Sequence, residues 1–145
     1  SLHFKRHRTD YYDLLQRVRT HGAWEDWISF YLEGIAAVAE EAVDKFRELL
    51  KLFERDRLVV EGSRGGSIYQ RAALQSNLTV FDFLRRRIVV RVPETATACG
   101  TSKPTVARAL NELERLGIVR EGTGKTRNRV YVYQQYLDIL SRDAR

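Results

Sequence analysis

One cysteine, Cys99, occurs in 145 residues, so an internal disulfide is excluded. No Cys/His cluster carries zinc-ligand spacing. No apolar run is long enough to span a bilayer, and no secretory leader can be read at the start. Internal repeats and low-complexity tracts are missing as well. The chain has no Gly-Asn pair and no Ser/His/Asp set with usable catalytic spacing. These absences set the expectation of a non-enzymatic protein with no cofactor, no metal and no membrane partner, in a reducing, cytoplasmic setting.

What is present is cationic charge, unevenly placed. Residues 1–64 hold 11 Lys and Arg against 12 Asp and Glu, a net of −1. Residues 65–145 hold 14 against 7, a net of +7, so the whole excess lies in the second half. A localised positive field favours phosphate contacts and steers a polyanion inward. A solvated basic face that only aids solubility would look the same by charge, and the motif in that half separates the two.

That motif runs from Val92 to Tyr133. Pro93 opens a short helix, because its fixed φ suits a first turn where no N–H is needed. Cys99-Gly100 stops it. Ser102 is a good N-cap for a second helix with Lys103 and Pro104 in its first turn. Val106, Leu110 and Leu113, with Ala109 beside them, make one apolar stripe, and Lys103, Thr105, Arg108, Glu112 and Arg115 fall mostly off it. Gly117 ends this helix. Ile118-Val119 begins a strand, a glycine-rich basic turn follows over residues 122–128, and Arg129 to Tyr133 returns as a second strand. The order helix, tight turn, helix, basic hairpin is that of a winged helix-turn-helix, which usually lays its second helix in the major groove of DNA.

The rest of the chain reads as helix. Thr9-Asp10 caps a helix over residues 11–20 with Tyr12, Leu15 and Val18 on one side, and His21-Gly22 breaks it. A long helix runs from Trp24 to about Arg57. Its seam, Trp24, Ile28, Tyr31, Ile35, Val38, Ala42, Phe46, Leu49 and Phe53, repeats at steps of three and four, so it packs against other helices over its length. At about 1.5 Å per residue it is roughly 50 Å long, too long for one short helix to cover. The basic domain, a second copy or a further part of a larger protein must cover the remainder. Residues 61–66 mark a boundary. A helix from Ser67 to about Arg86, with Ser76-Asn77 as a place for a break, supplies Ile68, Ala72, Leu78, Phe81 and Leu84 to a core. Ile88 to Arg91 is a short strand, and a closing helix over residues 134–141 turns Tyr136, Leu137 and Leu140 inward. The expectation is a mainly α fold. A helical hairpin with a long helix (1–62) comes first, then a winged helix-turn-helix domain with a small β-hairpin (67–145).

The first half carries a second signal. The run from Ser1 to Arg19, followed by W-E-D-W-I-S-F-Y-L-E-G-I from Trp24 to Ile35, resembles the C-terminal part of the Fic/DOC family, whose members of this arrangement end in a winged helix. Arg8, Tyr11, Tyr12, Trp24, Trp27, Phe30 and Gly34 sit at matching positions, which are packing positions. The resemblance implies a parent protein that transfers AMP from ATP to a protein hydroxyl through a motif H-P-F-x-x-G-N-G-R. That motif is absent here, so no catalytic residue is carried over. Ser29 to Gly34 fits the family's S/T-x-x-x-E-G/N inhibitory pattern, but it falls inside the long helix, and the arginine that its Glu33 would pair with is not present.

Other tempting residues have plainer explanations. His3 and His7 lack a third ligand. Cys99 is a helix-end filler. Trp24 and Trp27 lie beside an apolar seam. Gly122-x-Gly124-Lys125 joins two strands and lacks the helix an ATP loop needs. The expected function is a DNA-binding module, a transcription regulator or the targeting tail of a Fic-like protein. Ser102 caps the recognition helix, Lys103 and Arg108 reach phosphate or guanine, and Thr105 meets a base edge or phosphate. Lys125, Arg127 and Arg129 serve the wing, with Arg85 to Arg87 as secondary candidates. Duplex DNA is the expected partner, along with a homodimer mate or a Fic catalytic core on the Trp24–Phe53 seam. The alternative is a Fic fragment whose winged domain mediates protein assembly.

Overall fold

A computed structural model describes residues 2–63, 68–125 and 128–142 of the chain. The elements are α1 (Leu2–Arg6), α2 (Arg8–His21), α3 (Trp24–Gly62), α4 (Ile68–Arg87), β1 (Val89–Arg91), α5 (Val92–Ala98), α6 (Lys103–Arg115), β2 (Arg120–Glu121), β3 (Val130–Val132) and α7 (Gln134–Ser141). The fold is mainly α with one small antiparallel sheet of order β1-β3-β2. Contacts divide the chain into two compact units, one up to Glu48 and one from Leu49 onward, so the division falls within α3.

The first unit is held by aromatic rings. Phe4 of α1 lies 5.9 Å from Phe30 and 5.6 Å from Tyr31, centroid to centroid, and Tyr11 of α2 meets Trp27 edge-on at 4.9 Å. Gly34 permits this closeness, because a Cβ there would stand 2.9 Å from the Phe4 ring and from His3 Cδ2. Thr9 and Asp10 do not cap α2. The helix begins at Arg8, with His7 as an N-cap that makes no side-chain capping bond. Backbone bonds His7 N–H to His3 O and Tyr11 N–H to His7 O, both 3.0 Å, carry the chain from α1 into α2 across a single kinked residue. The inward ring of α2 is Tyr11, while Tyr12 is exposed. Gly22 ends α2, its N–H donating to Val18 O at 3.0 Å.

The seam of α3 divides sharply. Leu49 is buried and Phe53 half-buried, but Trp24 is 60% and Phe46 62% exposed, and Ile28, Tyr31 and Ile35 are exposed too. Apart from the Phe4 ring stacked on Tyr31, these five side chains keep 45–62% of their surface exposed.

The second unit has a closed core. Val60 from the end of α3, Val80, Phe81 and Leu84 from α4, and Val106, Leu110 and Leu113 from α6 are fully buried. α3 runs five residues past the expected stop at Arg57, ending at Gly62, and that extension places Val60 in the core. α4 is unbroken at Ser76-Asn77: the Ser76 hydroxyl donates to Ala72 O at 3.0 Å and Thr79 to Gln75 O at 2.9 Å, so polar side chains return to the helix's own carbonyls. Ala72 is exposed, while Val80, which the pattern passed over, is fully buried; the Ile68 side chain, Ser67 and residues 64–66 lie outside the described set. In α7 the inward residue is Ile139, with Tyr136 half-buried and Leu137 and Leu140 exposed.

β3 is the central strand. It pairs with β1 (Val90 opposite Tyr131) and with β2 (Glu121 opposite Tyr131). Ile118 and Val119 are buried core residues ahead of β2, which itself starts at Arg120. Ile88 turns the chain from α4 into β1 at φ +63°, a strained conformation for a β-branched residue. Its N–H donates to Leu84 O at 2.7 Å, and its carbonyl accepts from Tyr133 N–H at 2.9 Å. Below the sheet Asp56 is almost fully buried, yet it is paired. Its Oδ2 accepts from the Tyr133 hydroxyl at 2.6 Å, and its Oδ1 from Arg55 Nε at 2.8 Å and Nη2 at 2.6 Å. Burial and this carboxylate together raise the Tyr133 phenol well above its ordinary range.

Candidate nucleic-acid interface

α5, the turn at residues 99–102 and α6 form the helix-turn-helix. Arg91 is the N-cap of α5, with Pro93 in the first turn. Gly100 adopts φ +62°, the left-handed geometry that closes the turn. Ser102 caps α6 as expected: its Oγ accepts from Thr105 N–H at 3.3 Å and stands 2.8 Å from Thr105 Oγ1. Thr105 is thus half-buried and occupied within the cap. Lys103 and Arg108 are exposed, and Arg108 Nε lies 3.4 Å from Pro104 O.

At roughly 3.6 residues per turn, Pro104, Arg108, Asn111 and Arg115 form the line opposite the buried Val106–Leu113 stripe. The helix has two flanks. On one, Thr105 and Glu112 face Tyr69, Gln70 and Asn77 of α4 across a groove of about 480 Å³. On the other, Ala107 and Asn111 face Pro93, Asn128, Arg129 and Tyr131 across a groove of about 390 Å³. The second groove lies between α6 and the β2–β3 hairpin.

The two glutamates of α6 repel phosphate on paper. In the structure both are engaged. Arg115 grips Glu112 twice, Nε to Oε2 at 2.9 Å and Nη2 to Oε1 at 2.6 Å, and this holds the Glu112 carboxyl below its usual range. Glu114 Oε1 accepts the backbone N–H of Glu121 at 3.0 Å, tying α6 to the first wing strand.

The wing turn is organised by a third glutamate. Glu121 accepts from the Thr123 hydroxyl, from Thr123 N–H at 2.9 Å and from Gly124 N–H at 2.7 Å. The Thr123 hydroxyl bond is the largest cause, and its carboxyl is pulled down to about 2. Lys125 is exposed, and its carbonyl accepts from Arg129 Nε at 3.1 Å. Arg129 is exposed beside the Tyr131 hydroxyl, which strengthens its hold on its proton. Arg127 lies outside the described residues.

Arg85 is half-buried and already engaged. It bridges to Asp82 at 2.9 Å and lies 5.4 Å over the Phe53 ring and 5.7 Å over Phe81, while Arg86 and Arg87 are exposed. Sequence reasoning passed over Asn111, although its place in the Pro104–Arg108–Asn111–Arg115 line follows from spacing alone. No helix among the described residues is long and apolar enough to cross a membrane. Comparison with protein-family models and with curated proteins returned no match.

Proposed function

We propose that the second unit binds duplex DNA, with α6 in the major groove and the β2–β3 turn against neighbouring backbone or minor groove. The chain then acts as a transcription regulator or as the targeting arm of a Fic-like protein. The observation that carries this reading is the disposition of charge on the helix and the wing. Glu112, Glu114 and Glu121 are each tied up by an internal partner, while Lys103, Arg108, Lys125 and Arg129 are exposed. Lys103 and Arg108 are assigned to phosphate or guanine, with Thr105 beside them at the capped end. Lys125, Arg127 and Arg129 are assigned to the wing's backbone contacts. A salt titration of duplex affinity tests it. Affinity should fall steeply with salt, and Arg108→Ala and Lys125→Ala should each weaken binding and flatten the slope by about one if each removes a phosphate contact. Binding that ignores both salt and these variants defeats the reading.

A second reading is favoured by the open face of α3 in the first unit. Trp24, Ile28, Tyr31, Ile35 and Phe46 are more apolar surface than a lone helix normally leaves in water. They suit a homodimer mate or a Fic catalytic core, in which case the winged domain serves assembly. Tyr11, Trp27 and Phe30 pack ring against ring, and Gly34 lies against His3 and Phe4, so each has a packing role. Equilibrium sedimentation tests the dimer, and a monomer at high concentration counts against it. H-P-F-x-x-G-N-G-R in the reading frame ahead of Ser1 would support the core.

A further inference from the structure

The outward line of α6 contains one uncharged side chain that can hydrogen-bond to a base, Asn111, and the fold fixes its orientation from behind. Tyr131 sits in the central strand, fully buried, with its backbone laddered on both sides. Its hydroxyl donates to Asn111 Oδ1 at 3.0 Å. In this bond the phenol is the donor and the amide oxygen the acceptor, so the phenolic proton is directed at Asn111. That bond fixes Oδ1 on the Tyr131 side of the amide. Asn111 itself is exposed, at the mouth of the groove between helix and wing.

An amide so held keeps two N–H donors and one lone pair on Oδ1. Adenine shows the major groove an acceptor at N7 beside a donor at N6, which complements that pair. Guanine shows two acceptors, N7 and O6, and its O6 would face the remaining Oδ1 lone pair. Resting on the DNA-binding reading above, we propose that Asn111 is the adenine-reading residue of this interface and that Tyr131 is its positioning residue. Arg115, its neighbour on the same line, is occupied by Glu112, and Arg108 lies one turn towards the N-terminus as the adjacent cation. On this line Asn111 is thus the side chain suited to adenine, with Arg108 left to phosphate or guanine as above.

The competing role for the Asn111–Tyr131 bond is a purely structural tie between wing and helix. Asn111→Asp separates the two, because a carboxylate still accepts the Tyr131 hydroxyl but cannot donate to N7. The experiment selects preferred sites for the whole chain from a pool of randomised duplexes, then measures affinity for the selected site, for the same site with the adenine replaced, and for an unrelated duplex. The wild type should select an adenine at one position and lose about tenfold when guanine replaces it. Asn111→Ala should abolish that preference, and Asn111→Asp should abolish it or move it towards cytosine. For both, the loss on the selected site should exceed any loss on the unrelated duplex, and the added carboxylate of Asn111→Asp should weaken the unrelated duplex as well. Tyr131→Phe should relax the preference at the same position by a smaller factor, with folding checked by circular dichroism. Salt-dependent binding without base preference, or an adenine preference that survives Asn111→Asp, overturns the inference and leaves the DNA-binding reading standing. No binding to any duplex at low salt defeats both.

Discussion

The two units bury their apolar side chains in opposite degrees. From Leu49 onward, aliphatic residues of α3, α4, α6 and the sheet interlock, and Phe81, Leu84, Leu110 and Leu113 have no exposed surface. Up to Glu48 no described apolar side chain is fully buried: Tyr11 meets Trp27 edge-on, Phe4 lies over Gly34, and the apolar seam of α3 stays open. A closed core stabilises a fold by itself, whereas an open seam of the same composition gains its stabilisation only when something else covers it.

That contrast can be broken or sharpened by experiment. The largest effect belongs to Phe81→Ala, which should cost about 3–5 kcal/mol in denaturant unfolding of the monomer. Phe46→Ala on the open face should cost well under about 1 kcal/mol under the same conditions. A comparable loss for Phe46→Ala, growing with protein concentration, would mean that the seam is covered in solution. Tyr133→Phe comes next, at about 1–3 kcal/mol, because buried Asp56 would lose its 2.6 Å donor and keep only Arg55. In the first unit, Gly34→Ala should cost a similar or smaller amount, about 1–3 kcal/mol, and should alter the near-ultraviolet circular dichroism of the Tyr11–Trp27 cluster; an unchanged spectrum would refute the close approach of Phe4.

The smallest effect is local and depends on pH. Glu121 has its carboxyl lowered from the ordinary 4.5 to about 2 by its bonds to Thr123 and Gly124. A lowered folded-state value means the carboxylate form holds the wing turn. Its contribution is complete above about 4.5 and is lost as pH falls towards about 2. Amide resonances of Thr123 and Gly124 followed by NMR should shift through that window, and Glu121→Gln should remove the transition. A titration centred at the ordinary carboxyl value would contradict the turn's geometry.

Much of the second unit was legible in advance. The Ser102 cap, the Val106–Leu110–Leu113 stripe, the stop at Gly117 and the β-rich return at Val130–Val132 all depend on residues within a turn or two of one another. The misplacements came where a side chain found a partner, near or distant, that its pattern did not announce. Ser76-Asn77 suggested a break, but the Ser76 hydroxyl bonds back to Ala72 O within α4. Leu137 and Leu140 pattern as inward, yet Ile139 is the residue that reaches the core. Arg85 counted as cationic surface until Asp82, Phe53 and Phe81 enclosed it.

Helix periods, caps and glycine stops are written in neighbouring residues, so the sequence alone determined the mainly α order of elements and the concentration of positive charge in the second half. Tertiary structure alone decided which charges remain available. Glu114 meets Glu121 seven residues on, Tyr131 orients Asn111 across twenty, and Tyr133 satisfies Asp56 across seventy-seven. Such pairings exist only once packing has brought remote segments together, because hydrogen bonds and ion pairs act over a few ångströms of space and take no account of distance along the chain.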